Sequence, residues 1–119
     1  VTQELVSPMV RQSDEQWFTI VRWTLLALIE AEELGLSSEN IADRAAASSD
    51  RVRRFVGADG ALGSSLGLSP GWAMQIVKQV GNYGEIYHRT LGEGSRLRLS
   101  RGLNNLASKG GLMVSPSFR

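Results

Sequence analysis

The stretch "SENIADRAAASSDRVRRFVG", Ser38 to Gly57, carries a dense run of cations on a plausible scaffold. Ile41, Ala42 and Ala45 can pack a short helix, and Ala46 to Ser48 can form a small-residue corner. Arg51, Arg53 and Arg54 then stand where the second helix of a helix-turn-helix reaches phosphates or guanines. A second reading uses the same residues. Val52, Phe55 and Val56 need one face of a seven-residue helix, which leaves the three arginines as its solvated side. Any capped helix pair joined by small residues meets this pattern.

Catalytic chemistry has less to work with. His88 is the single histidine and there is no cysteine. No Ser-His-Asp set follows from spacing, no HExxH or thiolate metal pattern is present, and no cofactor is implied. Gly81 to Glu85 lacks phosphate-loop spacing. Glu30, Glu32 and Glu33 form an acidic cluster, read here as a solvated helix end. The expectation is a non-enzymatic protein with no catalytic or metal-binding residue.

Charge is unevenly placed. Residues 1–50 hold three arginines and nine acids, whereas residues 51–119 hold ten Lys and Arg and three acids. Such a split keeps a polyanionic partner in play. It equally suits an acidic half and a basic half of one fold that complement each other. The length of 119 residues suits one domain with a modest core. The opening "VTQELVSPMVRQ" lacks the basic and apolar regions of a signal peptide, as a trimmed chain also would.

The elements that must carry these residues read as mainly helical. Residues 1–12, with Pro8, read as extended. Ser13 is the expected N-cap of a long helix, with Gln16 completing a capping box and Asp14 and Glu15 in the first turn. That helix runs to about Leu34 and stops at Gly35. Trp17, Phe18, Val21, Leu25, Leu28 and Ile29 mark its core face, with Ile20, Trp23 and Leu26 off it. Ser37 or Ser38 caps a second helix to about Ala46, and Ser49 caps a third to Val56. Gly57 to Gly67 reads as a loop with room for one helical turn. Ser69 and Pro70 start a helix that the glycines at 81 and 84 interrupt. Another helix runs to Leu91, a brief extended piece covers Leu97 and Leu99, and a short helix spans about Arg101 to Ser108. The expected architecture is five or six short-to-medium helices, divided as an extended segment, 1–12, and a single helical domain, 13–119.

Several blocks also carry a resemblance. "VRQSDEQWFTIVRWTLLALIEAEELGL", "VRRFVG", "LGLSPGWAMQIVKQVGNYGEIYHRTLG", "RGLNNL" and "KGGLM…SPSFR" stand in order across nearly the whole chain. Together they resemble the C-terminal portion of the polar and general L-amino-acid-binding proteins of bacterial ABC transporters, which are type II periplasmic solute-binding proteins. The resemblance implies two α/β lobes joined by crossover strands, with the solute held between them. It makes the segment near Leu5 to Arg11 the return from the second crossover, and the helices that follow the cover of the first lobe. It implies a periplasmic location, a small polar amino acid or related solute, and a membrane permease as partner. It also argues against nucleic acid, because the Arg-rich pair falls where those proteins have helices without a DNA role.

Arg11, Asp14 and Trp17 follow the crossover and open the first helix, so they are the candidate ligand-binding residues. Arg11 would pair with a ligand carboxylate; alternatively it caps a surface turn. The chain departs from the family pattern at Asn105 to Ser108, at Val114 to Ser117 and at His88, all in its last third. A helical layer shorn of the sheet it covers leaves an apolar face, so homo-oligomerisation or packing against the missing lobe is expected. A helical assembly module that self-associates without a small ligand is the alternative reading, with a helix-turn-helix DNA-binding protein behind it.

Overall fold

The computed structural model describes residues 4–46 and 49–118. Six α-helices follow one another: α1 Glu15–Glu33, α2 Ile41–Arg44, α3 Asp50–Val56, α4 Leu62–Ser65, α5 Trp72–Val80 and α6 Tyr83–Thr90. A single 3-10 turn, Ala107–Lys109, comes after them. Among the described residues there is no strand, only one isolated parallel bridge between Leu106 and Met113. The chain is therefore mainly helical, as the patterning predicts.

α1 begins one residue later than its sequence suggests. Ser13 sits at φ 71°, a left-handed conformation that turns the chain and cannot cap. Asp14 takes the role instead, its carboxylate accepting the Trp17 N–H at 3.1 Å. At the other end the Gly35 N–H reaches the Glu32 carbonyl and the Leu36 N–H the Ala31 carbonyl. This paired closure satisfies the last orphan carbonyls and buries Leu36.

The buried stripe of α1 is only partly the expected one: Ile29 is buried as expected, but the rest of the stripe shifts. Ile20, Trp23, Ala27, Ala31 and Leu34 face the core, while Trp17 and Phe18 remain 51% and 52% exposed. Apolar periodicity marks both sides of this helix and cannot rank them. Ala27 and Ala31 settle the matter, because their small side chains let α1 approach α5 and α6 closely.

α5 is the central rod, packed by α1, α2 and α3. Its start also shifts: Ser69 and Pro70 form a lead-in turn, with the Trp72 N–H on the Ser69 carbonyl, and Gly71 takes the cap. Gly81 then ends α5, and Asn82 opens α6 with a complete capping box to Glu85. α2 is capped by Asn40 rather than by Ser37 or Ser38 and ends at Arg44 rather than near Ala46; Ser37 instead exchanges reciprocal side-chain bonds with Asn40 in the turn before it.

The last third departs further from the sequence reading. Arg98 at φ 48° interrupts the extended piece expected at Leu97 and Leu99. The helix expected at Arg101 to Ser108 shrinks to the 3-10 turn. Gly102 at φ 50°, the Arg101 side chain on the Asn104 carbonyl and the Leu106–Met113 bridge draw that segment into loops instead. The tail returns to the core, where Phe118 is enclosed by three aromatic rings. Phe55 lies 5.2 Å and Trp72 5.8 Å away in stacked geometry, with Trp23 edge-on at 5.6 Å.

Candidate functional site

Arg11, Asp14 and Trp17 converge on the entry to α1, but not on one cavity. An open hollow of about 440 Å³ is lined by residues 8–15 and Phe18. Arg11 and Asp14 border it and Trp17 does not. One helical step of about 100° separates positions 17 and 18, and it turns Phe18 toward the extended segment. The aromatic wall is thus Phe18, a residue that sequence reasoning had assigned to the core. A second hollow of about 200 Å³ continues past Phe18 to Val21 and Leu25, under Ser7, Pro8 and Val10.

The chemistry available at this mouth is specific. Among the described residues Arg11 has no acidic partner, so its planar fork of donors is available to a carboxylate. Asp14 has one oxygen committed to the Trp17 N–H, which leaves the other for a cationic group. Phe18 and Met9 supply apolar surface. The residues are exposed and the hollow faces solvent, so this surface is one wall of a site rather than an enclosed pocket.

The acidic cluster at the far end of α1 has the opposite character to the one expected. Glu30 is fully buried; Arg51 from α3 binds it twice, at 2.9 and 2.8 Å, and also reaches Glu33 at 2.8 Å. Glu32 is held by both terminal nitrogens of Arg101, and Glu33 also accepts the Ser115 N–H at 3.1 Å. Acids at a helix C-terminus oppose the helix dipole, and here two arginines compensate them. Burial pushes the Glu30 carboxyl up, and Arg51 pulls it back only in part. The hydrogen bond to Glu30 in turn raises the already basic Arg51.

These pairs also remove most of the proposed groove reader. Arg51 is engaged by Glu30 and Glu33, and Arg53 by Asp59 at 2.6 Å. Of the expected corner, Ala46 to Ser48, residues 47 and 48 lie outside the described residues. The charge split is explained in the same way: Glu30, Glu32 and Glu33 from the acidic half are bound by Arg51 and Arg101 from the basic half.

At the junction of α5 and α6, Glu85 accepts from the Asn82 N–H at 2.7 Å and from both the backbone and the hydroxyl of Ser38. Burial pushes this carboxyl up, but the bonds from Ser38 and Asn82 outweigh it and hold it below the usual range. Among the described residues no group of three His, Cys, Asp or Glu side chains could hold a metal, and no helix is long and apolar enough to cross a membrane.

The whole chain matches periplasmic amino-acid-binding proteins of ABC transporters. It is 45% identical to the general L-amino acid-binding periplasmic protein AapJ of Rhizobium johnstonii, over all of this chain and 36% of that protein. It is 42% identical to the putative amino-acid ABC transporter-binding protein YhdW of Escherichia coli, over 35% of its length. It is 38% identical to the glutamate/glutamine/aspartate/asparagine-binding protein BztA of Rhodobacter capsulatus, over 36%. The fold agrees with an ABC transporter periplasmic binding protein from Brucella ovis, solved with glutathione bound. The TM-score is 0.89 at 42% identity, over 92% of this chain and 35% of that one. The chain thus spans about a third of the length of the relatives it matches. No protein-family model matches it.

Proposed function

We propose that the chain forms part of the solute-binding component of a periplasmic amino-acid ABC transport system. The observation that carries this reading is the match of the whole chain to three differently named amino-acid-binding proteins, together with a backbone that superposes on an ABC transporter periplasmic binding protein. The segment before α1 acts as the returning crossover, and the helices cover the first lobe. Arg11 and Asp14 sit at the cleft edge, where Arg11 receives a carboxylate of a small polar amino acid. Phe18 joins them as the apolar wall, with Trp17 beside it on the same turn. Solute contacts from both lobes then favour the closed form, which a membrane permease recognises. The role is binding, without catalysis.

A chimera tests this reading. Replacing the matched third of AapJ by this chain should give a protein that folds cooperatively and binds L-amino acids in calorimetry. Arg11→Ala in the chimera should weaken that binding at least about tenfold, as expected for a lost charged hydrogen bond. A folded chimera that binds none of the amino acids AapJ binds would refute the proposal.

One feature favours self-association of the isolated chain as a second reading. Leu5, Val6 and Met9 in the segment before α1 are almost fully exposed, and Trp17 and Phe18 in the first turn of α1 are half-exposed. Such surface is covered by the rest of a longer protein or, failing that, by another copy.

A further inference from the structure

The joint between the end of α1, the start of α3 and the C-terminal tail carries more negative charge than it compensates. Two carboxylates, Glu30 and Glu33, face one guanidinium. The Arg51 Nη2 donates to Glu30 Oε2 and to Glu33 Oε2, both at 2.8 Å, while its Nε donates to Glu30 Oε1 at 2.9 Å. Both acids sit in the last turn of α1, where no basic residue stands and the helix carbonyls add negative potential. Glu30 has no solvent contact, and the Glu33 side chain is 17% exposed. Cover from a longer protein can only deepen this burial.

No other cation bonds the pair among the described residues. In α3, Arg53 holds Asp59, while Asp50 and Arg54 face solvent. The one charged residue of α5, Lys78, is exposed. In α6, Glu85 is bound by Ser38 and Asn82, and His88 and Arg89 are exposed. Arg101 is held by Glu32. The tail brings the uncharged Ser115 N–H, which Glu33 accepts at 3.1 Å.

We propose that this joint is a proton-sensitive latch: the Glu30–Glu33 pair takes up one proton as pH falls below neutral, and the joint then ties α1, α3 and the tail more firmly. A proton on Glu30 Oε2 ends its bond to the Arg51 Nη2. Oε1 still accepts from Nε, so Nη2 serves Glu33 alone, and the new O–H has the Glu33 carboxylate beside it as acceptor. Two repelling carboxylates become one neutral acid and one ion pair. Glu33 keeps its full charge for the Ser115 N–H, which carries the effect to the tail. The proton settles on Glu30 because burial pushes that carboxyl up, with Arg51 opposing. The folded chain therefore holds this proton where the unfolded chain has released it. The resulting stabilisation is complete below the ordinary carboxylate value and is lost as pH rises through the folded one. Glu85, held below its ordinary value, acts with the opposite sign. The latch belongs to the packing of this chain and does not depend on the transport reading.

A carboxyl-carbon NMR titration of the intact chain measures the proton directly. Glu30 should titrate above the ordinary glutamate value, and Glu33→Gln should move it down, because Arg51 then serves Glu30 alone. The ratio of folding constants, wild type to Glu30→Gln, should rise at least about threefold from about pH 8 to about pH 5, since every other group titrates in both proteins. Over the same range the protection of the Ser115 amide, corrected for intrinsic exchange, should rise relative to Glu30→Gln. A Glu30 carboxyl that titrates at or below the ordinary value would overturn the proposal, whether or not the variants fold. A ratio that stays flat with pH would do the same. Ser115 protection that ignores the proton would leave a buried acid and no latch.

Discussion

At the residue scale, Glu30 and Phe118 hold the two ends of one joint. Glu30 is an acid without solvent contact, bound bidentately by Arg51. Removing it takes away a buried bidentate partner, while Arg51, 40% exposed, keeps its bond to Glu33; losing hydrogen bonds to a charged group in this way costs about 1.5–3 kcal/mol. Glu30→Ala should lower stability by about that amount in urea denaturation, and Glu30→Gln by less, because the amide keeps a hydrogen bond. Phe118→Ala should cost about 3–5 kcal/mol, since three aromatic rings lose a shared contact. Glu85 yields a pH dependence with a definite sign. Its folded carboxyl titrates below its ordinary value, so its contribution is complete above that value and is lost as pH falls through the folded one. Stability measured from neutral pH into the acid range should fall less steeply in Glu85→Gln than in the wild type. Neither acid was legible in the sequence. Three glutamates within four positions on a helix look solvated, because partners that lie 18, 21 and 69 residues away leave no local signature.

At the scale of elements, the stop signals were legible and the start signals less so. Gly35 and Gly57 end α1 and α3 where the patterning puts them, both with positive φ. Starts slipped by one or two residues wherever neighbouring Ser, Asp or Gly compete for the cap, as Ser13 and Asp14 do, because several of these side chains satisfy the same orphan N–H. The two stop glycines differ in a way that can be measured. A Cβ on Gly35 meets nothing within 4 Å, whereas one on Gly57 would stand 2.0 Å from the Pro70 carbonyl oxygen. Gly35→Ala should therefore carry only the left-handed backbone penalty, about 1 kcal/mol. Gly57→Ala carries the same penalty and must also push the α5 lead-in away from α3. Its unfolding midpoint should fall well below that of Gly35→Ala in the same denaturant series.

For the molecule as a whole, the apolar surface of α1 exceeds what this chain can cover. Periodicity revealed a helix greasy on two sides, and the whole-chain resemblance named a lobe whose sheet would lie on one of them. It could not show that the side packed internally is the alanine-lined one. That choice depends on how closely α5 and α6 can approach, a three-dimensional quantity. The outcome leaves Trp17 and Phe18 half-exposed, with the exposed Met9 lining the hollow that Phe18 borders. Burial of an aromatic side chain is worth about 2 kcal/mol, so the expected outcome for the chain alone in solution is self-association through this face. Sedimentation velocity of the isolated chain should show mass growing with concentration, and W17S/F18S should return it to monomer with an unchanged helix signal. In the chimera with the rest of AapJ the same face should be occupied, so the wild-type sequence should sediment as a monomer there. A chain that stays monomeric alone at high concentration would mean that the extended segment over Phe18, Val21 and Leu25 already shields this face. The missing lobe would then have to be sought against another surface.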